Sequence, residues 1–290
     1  MDTLSKIKEI VNKYDLEEGL NKTNIPFVKV FKSSNSSEIL QSVYEPSLFL
    51  ILQGSKKVMV GDKIFEYDSS SYFISSTHLA VSGKTVKASK DKPFISLQIA
   101  FKEDEIFQAL NEFSLAINKI NSTNFSASIY RLDNDLKDCV FRLLSLNKID
   151  IDALSKLYLK EILYRLLVSN QNKELQQLAF IESNSYKISK AITLINENIY
   201  DNFLVDDIAK EVNMSISSFH KNFKIVVGIS PLQYIKKIKL QEAKRLMTLE
   251  NMDISGASFY VGYKSCSQFS REYSSYFGMS PSKHIKSLRD

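Results

Sequence analysis

Two stretches of the chain read DIAKEVNMSISSFHKNFK (207–224) and VGYKSCSQFSREYSSYFGMSP (261–281), and they share one design. Gly228-Ile229-Ser230-Pro231 recurs 50 positions later as Gly278-Met279-Ser280-Pro281. At the same displacement, serines and aromatic residues of the first stretch meet their equivalents in the second: Ser215, Ser217, Phe219 and Phe223 match Ser265, Ser267, Phe269 and Tyr273. Residues 231–250 between the copies have an uninterrupted helical pattern. The last hundred residues are therefore two similar helical units joined by one helix.

Each unit has the spacing of a helix-turn-helix. In the first, apolar residues predict a short helix that ends near Val212, Asn213-Met214 make the turn, and Ser215 is the N-cap of a second helix over residues 216–226. Phe219 and Phe223 are four residues apart and should anchor that helix inside the unit. Ser265, Phe269 and Tyr273 take the same roles in the second unit.

The opposite face of each second helix carries small, polar or cationic side chains, as a helix in a DNA major groove requires. The first unit presents Ser217, His220, Lys221 and Lys224, and the second presents Ser267, Ser270, Arg271 and Ser274, with Cys266 and Gln268 beside them. Arg271 can form a forked pair with guanine, and Gln268 suits adenine. The alternative interpretation is a pair of ordinary solvated helix faces.

The charge distribution favours the DNA interpretation. The 290 residues carry 38 Lys or Arg and 33 Asp or Glu, a net charge of only +5. Residues 208–290 hold 13 of the cations and 6 of the anions, a net charge of +7, which leaves −2 on residues 1–207. Positive charge concentrated on the duplicated units should attract phosphates and make the affinity fall with salt.

With these motifs, residues 186–289 resemble the DNA-binding domain of the AraC/XylS family of bacterial transcriptional regulators. The resemblance implies that each unit places one recognition helix in one of two successive major grooves. Carried over by the motif, the candidates for base contact are Ser217, His220, Lys221, Cys266, Ser267 and Arg271, to which Gln268 is added for its amide. The candidates for phosphate contact are Ser215, Lys224, Lys264 and Ser265.

The N-terminal half has a different pattern. Residues 4–20 predict an amphipathic helix. Short β-branched and aromatic runs then lie at 47–53, 56–61, 63–68, 71–76 and 94–101, separated by turn residues, which indicates a small barrel or sandwich. Helical patterns follow at 103–118, 134–148 and 151–170. The apolar stripe of 151–170 suits either a core face or a dimer seam, and its candidates are Leu154, Leu157, Tyr158, Ile162, Tyr164 and Leu167. The polar residues 170–184 suggest a connection between domains.

Residues 26–101 resemble the cupin-like N-terminal domain of one subgroup of these regulators, on PSLFLILQGSKKVMVGDKIFEYDSSSYFISSTHLAVSG (46–83) and KASKDKPFISLQIAF (87–101). The resemblance implies a domain that binds a small effector or mediates dimerisation. Apolar residues that could line a ligand space in the barrel, or simply fill its core, are Phe49, Ile51, Tyr67, Phe73 and Ile95.

The composition argues against enzyme chemistry. His78, His220 and His284 are far apart, and Cys139 and Cys266 form no CxxC pair, so we expect no metal site, no cofactor and no catalytic residue. A lone His78 in the β-rich region suits a structural hydrogen-bonding role better than a metal-dependent cupin. A protein-interaction module of repeated helices is the remaining alternative.

The sequence thus predicts an α+β protein of two domains. Residues 1–180 form an effector-sensing or dimerisation domain, β-rich over 26–101 and helical over 103–170. Residues 181–290 form an all-α DNA-binding domain with helix-turn-helix units at about 204–226 and 254–276. The expected partner is double-stranded DNA; a small effector, RNA polymerase and a second copy of the chain are further candidates. Without a signal-like N-terminus or a long apolar run, we expect a cytoplasmic protein with no membrane partner.

Overall fold

The computed structural model describes residues 2–113, 124–169, 173–178, 183–200 and 204–289. The helices in these ranges are α1 (Thr3–Val11), α2 (Glu103–Glu112), α3 (Asn134–Leu144), α4 (Ile151–Val168), α5 (Lys173–Leu178), α6 (Asn184–Glu197), α7 (Val205–Glu211), α8 (Ile216–Val227), α9 (Pro231–Leu249), α10 (Ile254–Tyr260), α11 (Cys266–Phe277) and α12 (Pro281–Arg289). The strands are β1 (Gly19–Lys22), β2 (Val28–Ser33), β3 (Leu40–Tyr44), β4 (Ser47–Gln53), β5 (Ser55–Val60), β6 (Lys63–Asp68), β7 (Ser71–Ser75), β8 (Leu79–Lys87), β9 (Phe94–Ala100) and β10 (Ala127–Arg131).

The strands form two antiparallel sheets. Within the described residues, one sheet has six strands in the order β1-β2-β9-β4-β7-β10, and the other has four in the order β3-β8-β5-β6. Side chains of both sheets share one apolar interior, where the ring centroids of Tyr67 and Phe73 lie 5.5 Å apart. A β-rich N-terminal domain followed by a helical domain confirms the predicted α+β class.

Strand β4 separates two cores. Its side chains alternate, as the period of a strand requires. Leu48 and Leu50 pack in a core with α1, α3 and α4, whereas Phe49 and Ile51 face the interior shared with the second sheet. Ile95 of β9 belongs to the first of these cores, so its proposed place in the barrel interior is wrong.

The N-terminal helix is shorter than the apolar spacing predicts. Helix α1 ends at Val11, and the predicted continuation to residue 20 is wrong. Gly19, at φ +94°, opens β1, which pairs with β2 from Gly19 opposite Lys32 onward. At residues 19 and 20, pairing with the next strand therefore overrides the local helical pattern.

The region predicted as helical over 103–170 contains a strand. Strand β10 pairs with β7, with Ile129 opposite Phe73, because β7 would otherwise leave its backbone groups unpaired at a sheet edge. Around it the predicted helices are present as α2, α3 and α4. The part of the first predicted helix at 114–118 lies outside the described residues.

Helix α4 settles part of the question about its apolar stripe. Ile162 and Leu167 are buried in the core, as a core face requires, but Leu157 is 57% exposed. The buried face instead includes Leu159, Leu163 and Leu166, since a period of 3.6 residues places these on the side of Ile162.

The predicted polar connection at 170–184 contains helix α5. Leu175 and Leu178 are buried in the N-terminal core, so this part of the connection is packed structure. The predicted domain boundary at 180/181 lies outside the described residues and stays a prediction.

Helix α5 also buries a carboxyl group, Glu174. Its Oε2 accepts a hydrogen bond from the Tyr130 hydroxyl at 2.8 Å, and burial raises the pKa of Glu174 to about 7. Between its ordinary value near 4.5 and about 7, the folded chain holds a proton that the unfolded chain has lost. The stabilising effect is complete below the lower value and is lost as the pH rises through the upper one.

We expect Glu174→Gln to remove this pH dependence, because an amide resembles the protonated acid. From pH 5 to pH 8, the free energy of unfolding of the wild type should fall by about 3 kcal/mol more than that of the variant. Denaturant unfolding at a series of pH values measures it. Exposed Glu38→Gln removes the same charge and should behave like the wild type; parallel pH profiles for Glu174→Gln and the wild type would contradict the assignment.

Candidate nucleic-acid interface

The first helix-turn-helix consists of α7 and α8. Asn213 turns the chain with a φ of +53°, and the Ser215 side chain caps α8 by accepting a hydrogen bond from the Ser218 backbone N–H. Helix α8 ends at Gly228, which has a φ of +83° and therefore suits a residue without a Cβ. The predicted N-cap is confirmed.

The second unit consists of α10 and α11 and repeats this geometry. Gly262, at φ +85°, takes the place of Asn213, and Ser265 caps α11 by accepting from the Gln268 backbone N–H. The backbone N–H of Tyr263 bonds the carbonyl of Ser258 as that of Met214 bonds the carbonyl of Ala209. The one extra residue of the second turn is therefore Lys264.

Aromatic side chains anchor both second helices, as the spacing predicts. Phe219 and Phe223 are fully buried with ring centroids 5.5 Å apart, and Phe269 and Tyr273 are fully buried with centroids 5.4 Å apart. The Tyr273 hydroxyl lies 3.0 Å from His284 Nδ1 of helix α12. The inner face of each recognition helix thus packs in the core of its unit, and the outer face does not contribute these anchors.

The outer faces carry the residues selected from the sequence. In the first unit Ser215, Ser217, Lys221 and Lys224 are exposed and His220 is half-buried. In the second, Lys264, Ser265, Ser267, Gln268 and Arg271 are exposed and Cys266 is half-buried. Lys221 and Arg271 occupy equivalent positions, 50 residues apart. The fold therefore presents one cation at the same place on each second helix.

The sequence patterns did not identify three polar residues at helix α11, which are Glu272, Lys236 and Tyr263. Glu272 on α11 accepts hydrogen bonds from Lys236 of α9 at 3.0 Å and from the Tyr263 hydroxyl at 2.8 Å. The signal in the sequence was a single acid within the basic stretch 261–281. Its partner Lys236 lies 36 residues away, a separation that no helical period reveals.

A second candidate site is a cavity of about 510 Å³ between the sheets and helix α9. Its walls include Phe31, Tyr44, Phe49, Lys29, Glu45, Lys56, His78, Gln98 and, from α9, Lys244. Of the five barrel residues considered from the sequence, Phe49 lines it. Ile51 and Phe73 are fully buried and Tyr67 nearly so, in the packed interior next to it.

Cations without ion-pair partners characterise this cavity. Lys29 lies 2.7 Å from Glu45, but among the described residues neither Lys56 nor Lys244 pairs with a carboxylate. The Lys56 Nζ lies 5.1 Å from the Phe31 ring centroid and 5.5 Å from that of Tyr44. Burial lowers the pKa of Lys244, and a bound anion would oppose this shift.

His78 does not have the structural hydrogen bond that we expected of it. Its Nδ1 is buried without a hydrogen-bond partner in the described part of the chain, and burial lowers the pKa of the imidazole. His78 also lines the cavity. Within the described ranges, no three His, Cys, Asp or Glu side chains cluster as a metal site would require.

The first helix-turn-helix packs directly on the sheet domain. The Ser126 backbone N–H and hydroxyl both donate to the carbonyl of Val226, at 3.0 and 2.7 Å, near the end of α8. The Ser189 hydroxyl of α6 donates to Thr77 Oγ1 at 3.0 Å. Apolar residues of the sheets and of α6–α9 share one core. The recognition helix is therefore connected to the sheets by main-chain contacts.

This architecture defines a two-domain helix-turn-helix protein with a cavity at its domain junction. Residues 24–174 match the model of the AraC-type transcriptional regulator N-terminus, and residues 208–287 match that of a helix-turn-helix domain. The chain belongs to the AraC/XylS family of transcriptional regulators and has an AraC-type N-terminal domain. No helix in the described ranges is long and apolar enough to cross a membrane.

Individual proteins are similar to this chain in sequence or in fold. The lactose operon transcription activator of Staphylococcus xylosus is 28% identical over 152 residues, which are 52% of this chain and 54% of the relative. The chain thus spans about half the length of that relative. The Msm operon regulatory protein of Streptococcus mutans is 30% identical over 112 residues, 38% of this chain and 40% of the relative. The structure of ToxT from Vibrio cholerae matches with a TM-score of 0.62 at 19% identity, covering 91% of this chain and 98% of ToxT.

Proposed function

We propose that the chain is a sequence-specific DNA-binding transcriptional regulator whose helices α8 and α11 read two successive major grooves. The observation that carries the proposal is the duplicated, capped and anchored unit with an exposed cation at the equivalent positions Lys221 and Arg271. Such a helix supplies base contacts from its outer face. The family match supports regulation of transcription as the task, for which the chain needs no catalysis of its own.

The contacts divide between bases and phosphates. We assign base contacts to Ser217, His220, Lys221, Cys266, Ser267, Gln268 and Arg271, and phosphate contacts to Ser215, Lys224, Lys264 and Ser265. The Ser215 and Ser265 oxygens accept the capping hydrogen bonds, which leaves each hydroxyl hydrogen for a phosphate. Two major grooves on one side of DNA lie about one helical turn, or roughly 10 base pairs, apart.

The test is binding of the full chain to a duplex selected from a random library, measured from about 50 to 200 mM salt. A regulator should enrich one bipartite sequence and lose affinity steeply as the salt rises. Weak, salt-insensitive binding with no enriched sequence would instead favour a protein-interaction module.

We also propose that the cavity binds a small amphipathic anion. The aromatic wall suits an apolar body, while Lys56 and Lys244 suit an anionic head group. ToxT, solved with a bound unsaturated fatty acid, matches this chain with a TM-score of 0.59 at 17% identity, covering 89% of this chain and 94% of ToxT. Because Lys244 belongs to the helix between the two units, an anion bound there would favour one arrangement of the domains.

We expect decanoate to raise the melting temperature of the protein and decanol to raise it less, because decanol has no charge for the lysines. At a hundredfold excess over its Kd, a ligand stabilises the fold by about 2.7 kcal/mol. Lys56→Gln and Lys244→Gln should reduce the shift, whereas Lys84→Gln, an exposed lysine of β8 outside the cavity, should not. Equal shifts with decanoate and decanol would contradict the anionic head group.

Two further partners belong to the proposal. Leu157 and Val168 on α4 are 57% and 44% exposed and form a candidate contact with a second copy of the chain. RNA polymerase is the partner that a regulator bound at a promoter would meet, which places the protein in the bacterial cytoplasm. Sedimentation of Leu157→Lys and transcription from the selected site test these two assignments separately.

A further inference from the structure

Glu272 is a carboxylate on a helix face that is proposed to meet DNA. It lies next to a recess of about 330 Å³ between α9 and α11, whose lining also includes Lys236, Tyr263 and Gln268. All three of these side chains donate a hydrogen bond to the Glu272 carboxylate: Lys236 Nζ at 3.0 Å, the Tyr263 hydroxyl at 2.8 Å and Gln268 Nε2 at 3.2 Å. Desolvation by burial acts to raise the pKa of Glu272, but the three hydrogen bonds and the charge of Lys236 together outweigh it, so the pKa is lowered. The carboxylate therefore stays ionised and held in place.

An ionised carboxylate accepts hydrogen bonds and donates none. The amide of Gln268 must therefore turn its NH₂ group toward Glu272, which lies one helical turn further along α11. Its carbonyl Oε1 is left for another donor, and the second hydrogen of the NH₂ group remains available. The orientation of the amide follows from the chemistry of its partner.

We infer that Glu272 is a positioning residue that selects the base read by Gln268. An outward carbonyl requires a donor, and in the major groove only adenine N6 and cytosine N4 offer one. Adenine also presents N7 to the second NH₂ hydrogen, so the pair becomes bidentate with adenine alone. Guanine and thymine present acceptors at the corresponding places. The carbonyl oxygen of the held amide is also an acceptor, so no hydrogen bond forms with either base. This inference rests on the proposed DNA-binding function.

The first unit has no such device. The equivalent positions are Ser218 and Asn222, and the Asn222 amide donates to the Ser218 carbonyl at 2.9 Å and to its hydroxyl at 3.2 Å. Asn222 is buried, and its amide donates these hydrogen bonds within its own helix. The adenine preference should therefore belong to the half of the site that α11 reads.

The experiment compares base preferences of the full chain, using the duplex selected by the wild type and all single-base substitutions of it. Gln268→Met should remove the preference at one position and so identify it. At that position the wild type should favour adenine over guanine or thymine by about tenfold. Glu272→Gln should reduce this preference to less than about threefold, since an amide partner no longer dictates the orientation of Gln268. The other positions should keep their preferences.

Lys236→Met is the matched control, because it removes another partner of Glu272 and leaves the bond to Gln268. It should retain the adenine preference. Glu272→Asp keeps the charge but withdraws the carboxylate by one methylene, and it serves as the second variant if Glu272→Gln unfolds below the assay temperature.

An unchanged preference in the folded Glu272 variant, or an equal loss in Lys236→Met, would overturn the inference while leaving DNA binding intact. A wild type that enriches no sequence would overturn the proposed function and this inference with it.

Discussion

Replacing Lys221 or Arg271 with glutamate is expected to weaken sequence-specific DNA binding strongly without unfolding the protein. Both side chains are exposed on the outer faces of α8 and α11, at equivalent positions of the two units. Each reversal removes a cation that can contact a base edge and places a negative charge near the phosphates. We expect the affinity for the selected duplex to fall at least tenfold for each variant and more for the pair.

Stability should hardly change, because substitutions of exposed residues away from caps and cores usually have small effects. The control is Lys156→Glu on α4, which is exposed and changes the net charge equally but lies far along the chain from either recognition helix. Electrophoretic mobility shifts with each variant, and circular dichroism melts, give the two readouts. Normal binding by both reversal variants would show that the recognition faces are assigned to the wrong residues.

The second large effect is expected at the contact between the domains. Gly61, in the turn between β5 and β6, has a φ of +63° and faces the backbone at the end of α8. A Cβ at this position would lie 2.4 Å from the carbonyl oxygen of Gly228 and 2.9 Å from its Cα. The clash would be between the backbone segments at Gly61 and Gly228, which cannot move aside as a flexible side chain does. Gly61→Ala should therefore push α8 away from the sheets and weaken the bonds of Ser126 to Val226.

Gly19→Ala is the control that distinguishes the effect of the clash at Gly61 from the effect of backbone strain. Gly19 has a φ of +94°, but a Cβ there would meet nothing within 4 Å. Both substitutions impose the left-handed conformation on alanine, at about 1–2 kcal/mol. Overpacking should cost Gly61→Ala about 2 kcal/mol more in the free energy of unfolding. Calorimetry should also split its unfolding into two transitions. Equal losses and a single transition in both variants would refute a tight contact at Gly61.

The helix-turn-helix units could be predicted from sequence because their determinants are local. The caps Ser215 and Ser265 act on backbone N–H groups three residues away, and the aromatic anchors are one turn apart. Residues this close in sequence are neighbours in any helix. Five of the ten described strands, β4, β5, β6, β7 and β9, were predicted as separate runs for the same reason, since alternation and turn residues lie within each segment.

Two of the failures involve partners that are distant in the chain. Strand β10 exists because β7 provides a free edge some 55 residues earlier in the chain. The cavity is lined by residues of several strands and by one residue of α9. The apolar pattern of a single strand could not identify these residues, and it pointed instead to residues such as Ile51, which pack in the core. A pattern within one segment contains no information about which segment will cover it.

The sequence alone determined two helix-turn-helix units, their caps, their anchors and the cations on their outer faces, because contacts three or four residues apart depend only on helical geometry. The tertiary structure decided how those units meet the sheet domain. Ser126 binds the carbonyl of Val226 across 100 residues of chain, and Lys244 reaches a cavity whose other walls lie between Leu20 and Gln98. Contacts over such separations depend on how whole elements pack, and this is why the proposed connection between effector and DNA became visible only in the folded chain.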